Sequence, residues 1–312
     1  MHTQLTRCLL TVLTVIFVTT ALVGCSKEES SQQAEDYLSR AQAYQAQGQY
    51  RAAMIEVTNA MNAAPGQIRY PLVLANMYID LGAARRASAL LEDYVDDHPQ
   101  TVALTLAEAY LLQGKFLSAQ EALEDFQPRS PEHERLVALY QADVSRTRGD
   151  LEESEQAYKA LLEQYPDDLQ VQLRLVENHI FREKVDAARE HLAALRSEHP
   201  EDDEVLHLSA IVALQTNDLE QAENYLTQAL IHTPGADLML PDRAAILELL
   251  SETLIAQGRT SEALVYSKVL AEESPDSFEA QQQLRDAMSA ADAGDLSKAE
   301  TLLQELLEEN PE

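Results

Sequence analysis

Eight prolines, Pro65, Pro99, Pro131, Pro166, Pro200, Pro234, Pro275 and Pro311, recur along the chain at intervals close to thirty-four residues. Seventeen residues before each proline stands a residue at which a chain can reverse. Six of these are glycines (Gly48, Gly82, Gly114, Gly149, Gly258 and Gly294) and one is Asn217, with Glu183 the exception. Glycine and asparagine accept the left-handed conformation that ends a helix. Proline cannot donate the next helical hydrogen bond, so it is expected to end the helix that follows the turn. A period of this length, with a breaker at the middle and at the end, predicts a repeated helical hairpin.

Small residues keep the same register. Ala53, Ala87, Ala119, Ser154, Ala188, Ala222, Ala263 and Ala299 lie five residues after the turns. Seven residues before the turns come Ala41, Ala75, Ala107, Ala142, Ala210 and Ala287, with Val176 and Ser251 as variants. Paired small side chains let two helices approach closely, and apolar residues such as Leu74, Tyr78 and Leu91 fall between them at helical spacing. This pattern resembles the tetratricopeptide repeat (TPR) over roughly residues 34–311. Tyr37, Ala41, Tyr44, Gly48, Tyr50, Ala53, Ala60 and Pro65 form the best matching unit. The fifth unit departs most, with Glu183 at its turn and His179 where earlier units have Tyr. The resemblance implies an all-α, right-handed superhelical solenoid of about eight helix-turn-helix hairpins. Residues 34–234 would carry units one to six and residues 243–312 units seven and eight. Residues 235–242 interrupt the period, and a kink or a change of superhelical pitch is expected there.

The amino terminus is of another kind. Arg7 is followed by an apolar run from Cys8 to Val23, of signal-peptide length and short for a membrane span. It closes on Leu22-Val23-Gly24-Cys25, which resembles the lipobox of bacterial lipoproteins. The resemblance implies cleavage after Gly24, with residues 1–24 removed, and lipidation of Cys25. Residue 26 is Ser rather than the Asp that tends to hold such proteins at the inner membrane, which implies the periplasmic face of the outer membrane. Residues 25–33 would be the lipidated cysteine and a polar tether; residues 26–33 would reach about 25–30 Å if extended. Processing would discard Cys8 and acylate Cys25, leaving no thiol for a disulfide, a metal or catalysis.

Composition agrees with helices that bury small side chains: 46% of residues are hydrophobic, only 5% aromatic, and Trp is absent. The net charge of -30 repels nucleic acid and favours basic or neutral partners. Of nine glycines, six are turn residues, Gly66 and Gly235 follow closing prolines, and Gly24 belongs to the lipobox, so none is left for a phosphate loop. His133-Glu134 has no second His at metalloprotease spacing. With the repeats consuming the mature chain, no cofactor, metal or catalytic residue is expected, and the chain is read as a non-enzyme.

What remains is the face the first helix of each hairpin turns inward. TPR resemblance places groove positions at Gln42, Asn76, Glu108, Asp143, Glu177, Ile211, Glu252 and Met288, with Arg69, Ile79, Leu111, Arg146 and Ile180 nearby. Such a mixed acidic and apolar surface suits a basic or amphipathic protein segment. The Lys-and-Asn clamp with which some TPR domains hold a terminal carboxylate is missing around Asn76. Lipobox and repeats together are loosely similar to TPR lipoproteins of exopolysaccharide-export and PEP-CTERM-type systems. That similarity implies a protein-binding scaffold in an envelope assembly, or else an accessory factor presenting substrate to exopolysaccharide or peptidoglycan enzymes. A subunit of a larger transport channel is a further alternative. Leu296, Ala299, Leu302, Leu303, Leu306 and Leu307 near the carboxyl end exceed what one hairpin contact needs. That face is expected to be covered by a second copy, a partner or a continuation of the chain, with end-to-end self-association through the last repeat the favoured reading.

Overall fold

The computed structural model describes residues 30–233, 235–274 and 277–291. A first helix is described over residues 30–45 (α1). It is followed by Tyr50–Ala63 (α2), Arg69–Asp80 (α3), Ala84–Glu92 (α4), Pro99–Leu111 (α5) and Phe116–Glu124 (α6). The middle of the chain forms Pro131–Arg148 (α7), Leu151–Gln164 (α8), Leu169–Phe181 (α9), Val185–Glu198 (α10) and Asp203–Gln215 (α11). Leu219–His232 (α12), Pro241–Ala256 (α13), Thr260–Glu273 (α14) and Phe278–Ala290 (α15) complete the described helices. No strand occurs among the described residues.

Seven hairpins, α1/α2 to α13/α14, stack in chain order, and the fold is an all-α superhelical TPR-type solenoid. The small residues explain the close hairpins. Ala41, Ala53, Ala75, Ala87, Ala107, Ala119, Ser154, Val176, Ala188, Ala210, Ala222, Ser251, Ala263 and Ala287 have no solvent exposure. Where serine replaces alanine, its hydroxyl is satisfied inside the hairpin: Ser251 Oγ donates to the Ala263 carbonyl and lies 2.5 Å from Ser267 Oγ. A buried hydroxyl without such a partner would cost more than the alanine it replaces.

The turns adopt the expected left-handed backbone. Gly48, Gly82, Gly114 and Gly258 have φ between 68° and 77°, and Gly149 has φ 97°. Asn217 (φ 56°) follows them, and so does Glu183 (φ 55°), against its side-chain preference. The prolines divide into two groups. α2, α8 and α10 end just before Pro65, Pro166 and Pro200, as expected. Pro99 and Pro131 instead open α5 and α7 at the first helical position, a correction to their reading as helix ends. The missing proline N–H is no loss in a first turn, whose donors have no intrahelical partner. α4 and α6 have already stopped, at nine residues each.

Curvature follows from which helices meet. The first helices of successive hairpins touch, α3 with α5, α5 with α7, α9 with α11 and α11 with α13, whereas second helices meet their neighbours less. The first helices therefore line the inner, concave side.

Candidate partner-binding groove

A cavity of about 520 Å3 opens on the concave side between α3, α5 and α7. Its apolar wall includes Leu72, Leu104 and Leu136, and its polar wall Asn76, Asp80, Glu108 and Tyr140. Asn76 and Asp80 are one helical turn apart on α3 and both are exposed. Gln45 Nε2 donates to Asp80 Oδ2 at 3.2 Å. Tyr140 Oη donates to Glu108 Oε2 at 3.1 Å and fixes that carboxylate in the cavity wall. Desolvation raises the pKa of Asp80. Desolvation also raises that of Glu108; Tyr140 and Arg174 pull it down, while Asp80 and Asp143 add to the rise.

Beyond the cavity the acidic lining continues. Asp143 is buried at 5% exposure, where Tyr158 Oη donates to it at 2.5 Å. Burial raises its pKa against the pull of Arg174, Tyr158 and Arg146. Arg174 reaches Glu177 at 3.0 Å and Asp143 at 3.9 Å, and Arg146 reaches Glu177 at 3.6 Å and Asp143 at 3.8 Å. Phe181, 64% exposed, lies 5.9 Å beneath the Arg146 guanidinium. Burial disfavours the Arg174 charge, but Glu177, Asp143 and Glu204 more than restore it. Glu204 keeps a face open to water, yet desolvation, with Glu177, Asp242 and Asp202 nearby, pushes its pKa up to about 7. Asp242 is raised by desolvation and by Asp203. The strip from α3 to α13 thus presents Asp80, Glu108, Glu177, Glu204 and Asp242, with Asp143 buried against Tyr158 and Arg146 and Arg174 as the cations among them.

The structure brings Asn76 and Glu108 to one cavity and joins Asp143, Arg146 and Glu177 in one ion cluster. Asp143 faces inward to Tyr158, so its carboxylate is closed to solvent. Arg69 is held by Glu35 of α1 at 2.6 Å. Gln42 and Glu252 are exposed and, like Arg69, do not line this cavity. Glu252 is raised by desolvation and by Glu248. Ile211 is half-buried and Met288 is 49% exposed. Cys25 and the leucines at 302–307 lie outside the described residues. Sequence reasoning missed Tyr140 and Arg174. Each stands nine residues before its turn, one helical turn from the groove positions Asp143 and Glu177, and extending the groove register by that turn finds both.

Among the described residues no helix is long and apolar enough to cross a membrane, and no group of three His, Cys, Asp or Glu could hold a metal ion.

Residues 104–168 match a tetratricopeptide-repeat family model, and residues 146–212 and 182–239 match a second one. No curated protein matches the sequence significantly. A tetratricopeptide repeat protein from Parabacteroides merdae superposes with a TM-score of 0.57 at 16% identity, over 82% of this chain and 99% of that one. Yeast Tom70 superposes with a TM-score of 0.62 at 13% identity, over 85% of this chain and 55% of Tom70. The APC/C hetero-tetramer Cut9–Hcn1 gives 0.50 at 16% identity, over 80% of this chain and 55% of that one. The chain thus spans about half the length of the last two, and at these identities the likeness is one of fold. The family matches thus identify tetratricopeptide repeats within residues 104–239, and the hairpins before and after that stretch continue the same fold.

Proposed function

We propose that this chain is a non-enzymatic docking scaffold whose concave face takes a basic or amphipathic protein segment. TPR repeats are a protein-interaction fold, and the observation that carries the finer reading is the charge of the lining. Its carboxyls outnumber Arg146 and Arg174, and several have pKa values raised by desolvation, the state that a docked Lys or Arg would relieve. The apolar wall of Leu72, Leu104 and Leu136 would hold the aliphatic part of such a segment. A fluorescent amphipathic peptide bearing Lys or Arg at every third or fourth position is the direct probe. Asp80→Lys with Glu108→Lys should weaken its binding about tenfold or more, and binding should fall as salt rises. Equal affinity in the variant, or preference for an acidic counterpart, overturns the reading.

The same proposal places the scaffold in an envelope assembly or export system, tethered through lipidated Cys25 at the periplasmic face of the outer membrane. The lipobox-like Leu22-Val23-Gly24-Cys25 supports it. Mass spectrometry of protein from isolated envelopes should find Cys25 acylated and first in the chain; an unmodified Cys25 or a retained Met1 would remove the anchor. Self-association through the last repeat belongs here too. Sedimentation should show a concentration-dependent dimer that Leu303→Glu disrupts, and a monomer unaffected by that change would rule it out.

A further inference from the structure

The segment between the sixth and seventh hairpins does more than connect them. Residues 235–240 run without helix from α12 to α13, and the turns of the first two hairpins lie against this stretch and the start of α13. The Asp237 N–H donates to the Gly48 carbonyl at 2.9 Å. In return, the Asp237 carboxylate accepts from the Tyr50 N–H at 2.8 Å and from the Arg51 N–H at 3.2 Å. These are the first two amides of α2, whose own preceding residue, Gln49, provides no side-chain cap. A carboxylate at that place satisfies orphan donors and meets the positive end of the helix. The capping residue is 187 positions away in sequence.

Two turn glycines are shaped for the same contact. A Cβ on Gly48 would collide with the Gly235 carbonyl oxygen, and a Cβ on Gly82 would come within 2.8 Å of Pro241. At Gly114, with nearly the same backbone (φ 70°), a Cβ would meet nothing within 4 Å. The principal helix contacts elsewhere join elements at most two apart along the chain. The segment therefore ties one turn of the superhelix to the next. Its other end is anchored, since Met239 packs against the core that holds Leu247 and Leu270. The tied end is polar, and Gly235, Asp237 and Pro241 are all exposed. Such a joint can open without unfolding a hairpin.

We propose that residues 235–242 are a releasable clasp, fastened by Asp237 on the amino end of α2, which holds the superhelix closed around its concave face. The clasp borders the groove directly. Asp80 lies two residues before the Gly82 turn on which Pro241 rests, and Asp242 belongs to the acidic lining. Opening it would lengthen the superhelical pitch and widen access to that lining, whatever the lining binds.

Hydrogen exchange and small-angle scattering on the full chain test this together. In Asp237→Ala, protection at the Tyr50 and Arg51 amides should fall roughly tenfold. The radius of gyration should rise while far-UV circular dichroism stays unchanged. Gly48→Ala should also raise the radius, whereas Gly114→Ala, which carries the same left-handed strain without a clasp contact, should not. That pair separates clasp opening from turn damage. Unchanged protection in Asp237→Ala, an unchanged radius despite lost protection, or equal radii for the two glycine variants would each overturn the proposal. Peptide binding is not read in any arm, so failure of the groove proposal would leave this one standing.

Discussion

Glu155 shows how a departure from the repeat pattern is absorbed by single residues. Its carboxylate is 5% exposed and accepts from Lys159 at 2.6 Å, from Lys184 at 2.7 Å and from Arg182, with His179 Nε2 3.7 Å away. Three of these four partners, His179, Arg182 and Lys184, surround the irregular Glu183 turn. Burial alone would raise the pKa of Glu155, but the hydrogen bonds from Lys159 and Lys184 outweigh it and hold it at about 2. A depressed carboxylate contributes stability that is present above its unfolded value near 4.5 and lost as pH falls through about 2. Glu155→Gln should therefore cost about 2 kcal/mol at neutral pH by leaving cations around an uncharged amide. That difference should vanish in denaturation curves taken toward pH 2. Glu204 has the opposite sign. Its pKa is raised to about 7, so its favourable contribution is complete below about 4.5 and is lost as pH rises through 7. Glu204→Gln should gain stability relative to the parent chain across that interval and level off above it, as read from melting temperatures in a pH series.

At the scale of the element, the hairpin turn sets the geometry and the small-residue pair sets the spacing. Glu183 holds the left-handed conformation that glycine supplies at five other turns, at the cost of contact between its Cβ and the neighbouring backbone. Its side chain is exposed, and the ion cluster beside it uses its neighbours rather than Glu183 itself. Glu183→Gly should accordingly stabilise the protein by about 1 kcal/mol, measured by urea unfolding. A loss of stability would mean that the Glu183 side chain has a use beyond the turn. The small pair makes a complementary prediction. Ala107 on α5 is fully buried in the core that also takes Ala119 of α6. Ala107→Leu should destabilise by about 2 kcal/mol through overpacking, with the same measurement. Both substitutions change one hairpin, and their effects should add, because the sites share no partner.

Across the whole molecule the cores form a chain of local clusters. The largest joins α5 to α9, from Ala107 to Leu175, and the one at α14 and α15 has three buried members, Leu264, Val265 and Ala287. Stability in a stack of repeats is a sum of units and neighbour interfaces. Hydrogen exchange should thus find the slowest amides in α7 and α9 and progressively faster ones toward α15. Much of this was legible beforehand. Turn residues, small pairs and their period are local properties of the chain, because helix-ending backbone and close helix approach each depend on one or two side chains. The sequence by itself therefore determined the hairpins, their number among the described residues, their buried alanines and the acidic character of the inner face. Three things depended on tertiary structure: that Asp143 turns inward to Tyr158, that Arg174 joins the carboxyls of neighbouring repeats, and that Asp237 caps a helix 187 residues away. The first is a contact across one hairpin, between residues fifteen apart. The other two join different repeats and depend on superhelical curvature, which accumulates from small rotations at every repeat interface rather than residing in any one residue.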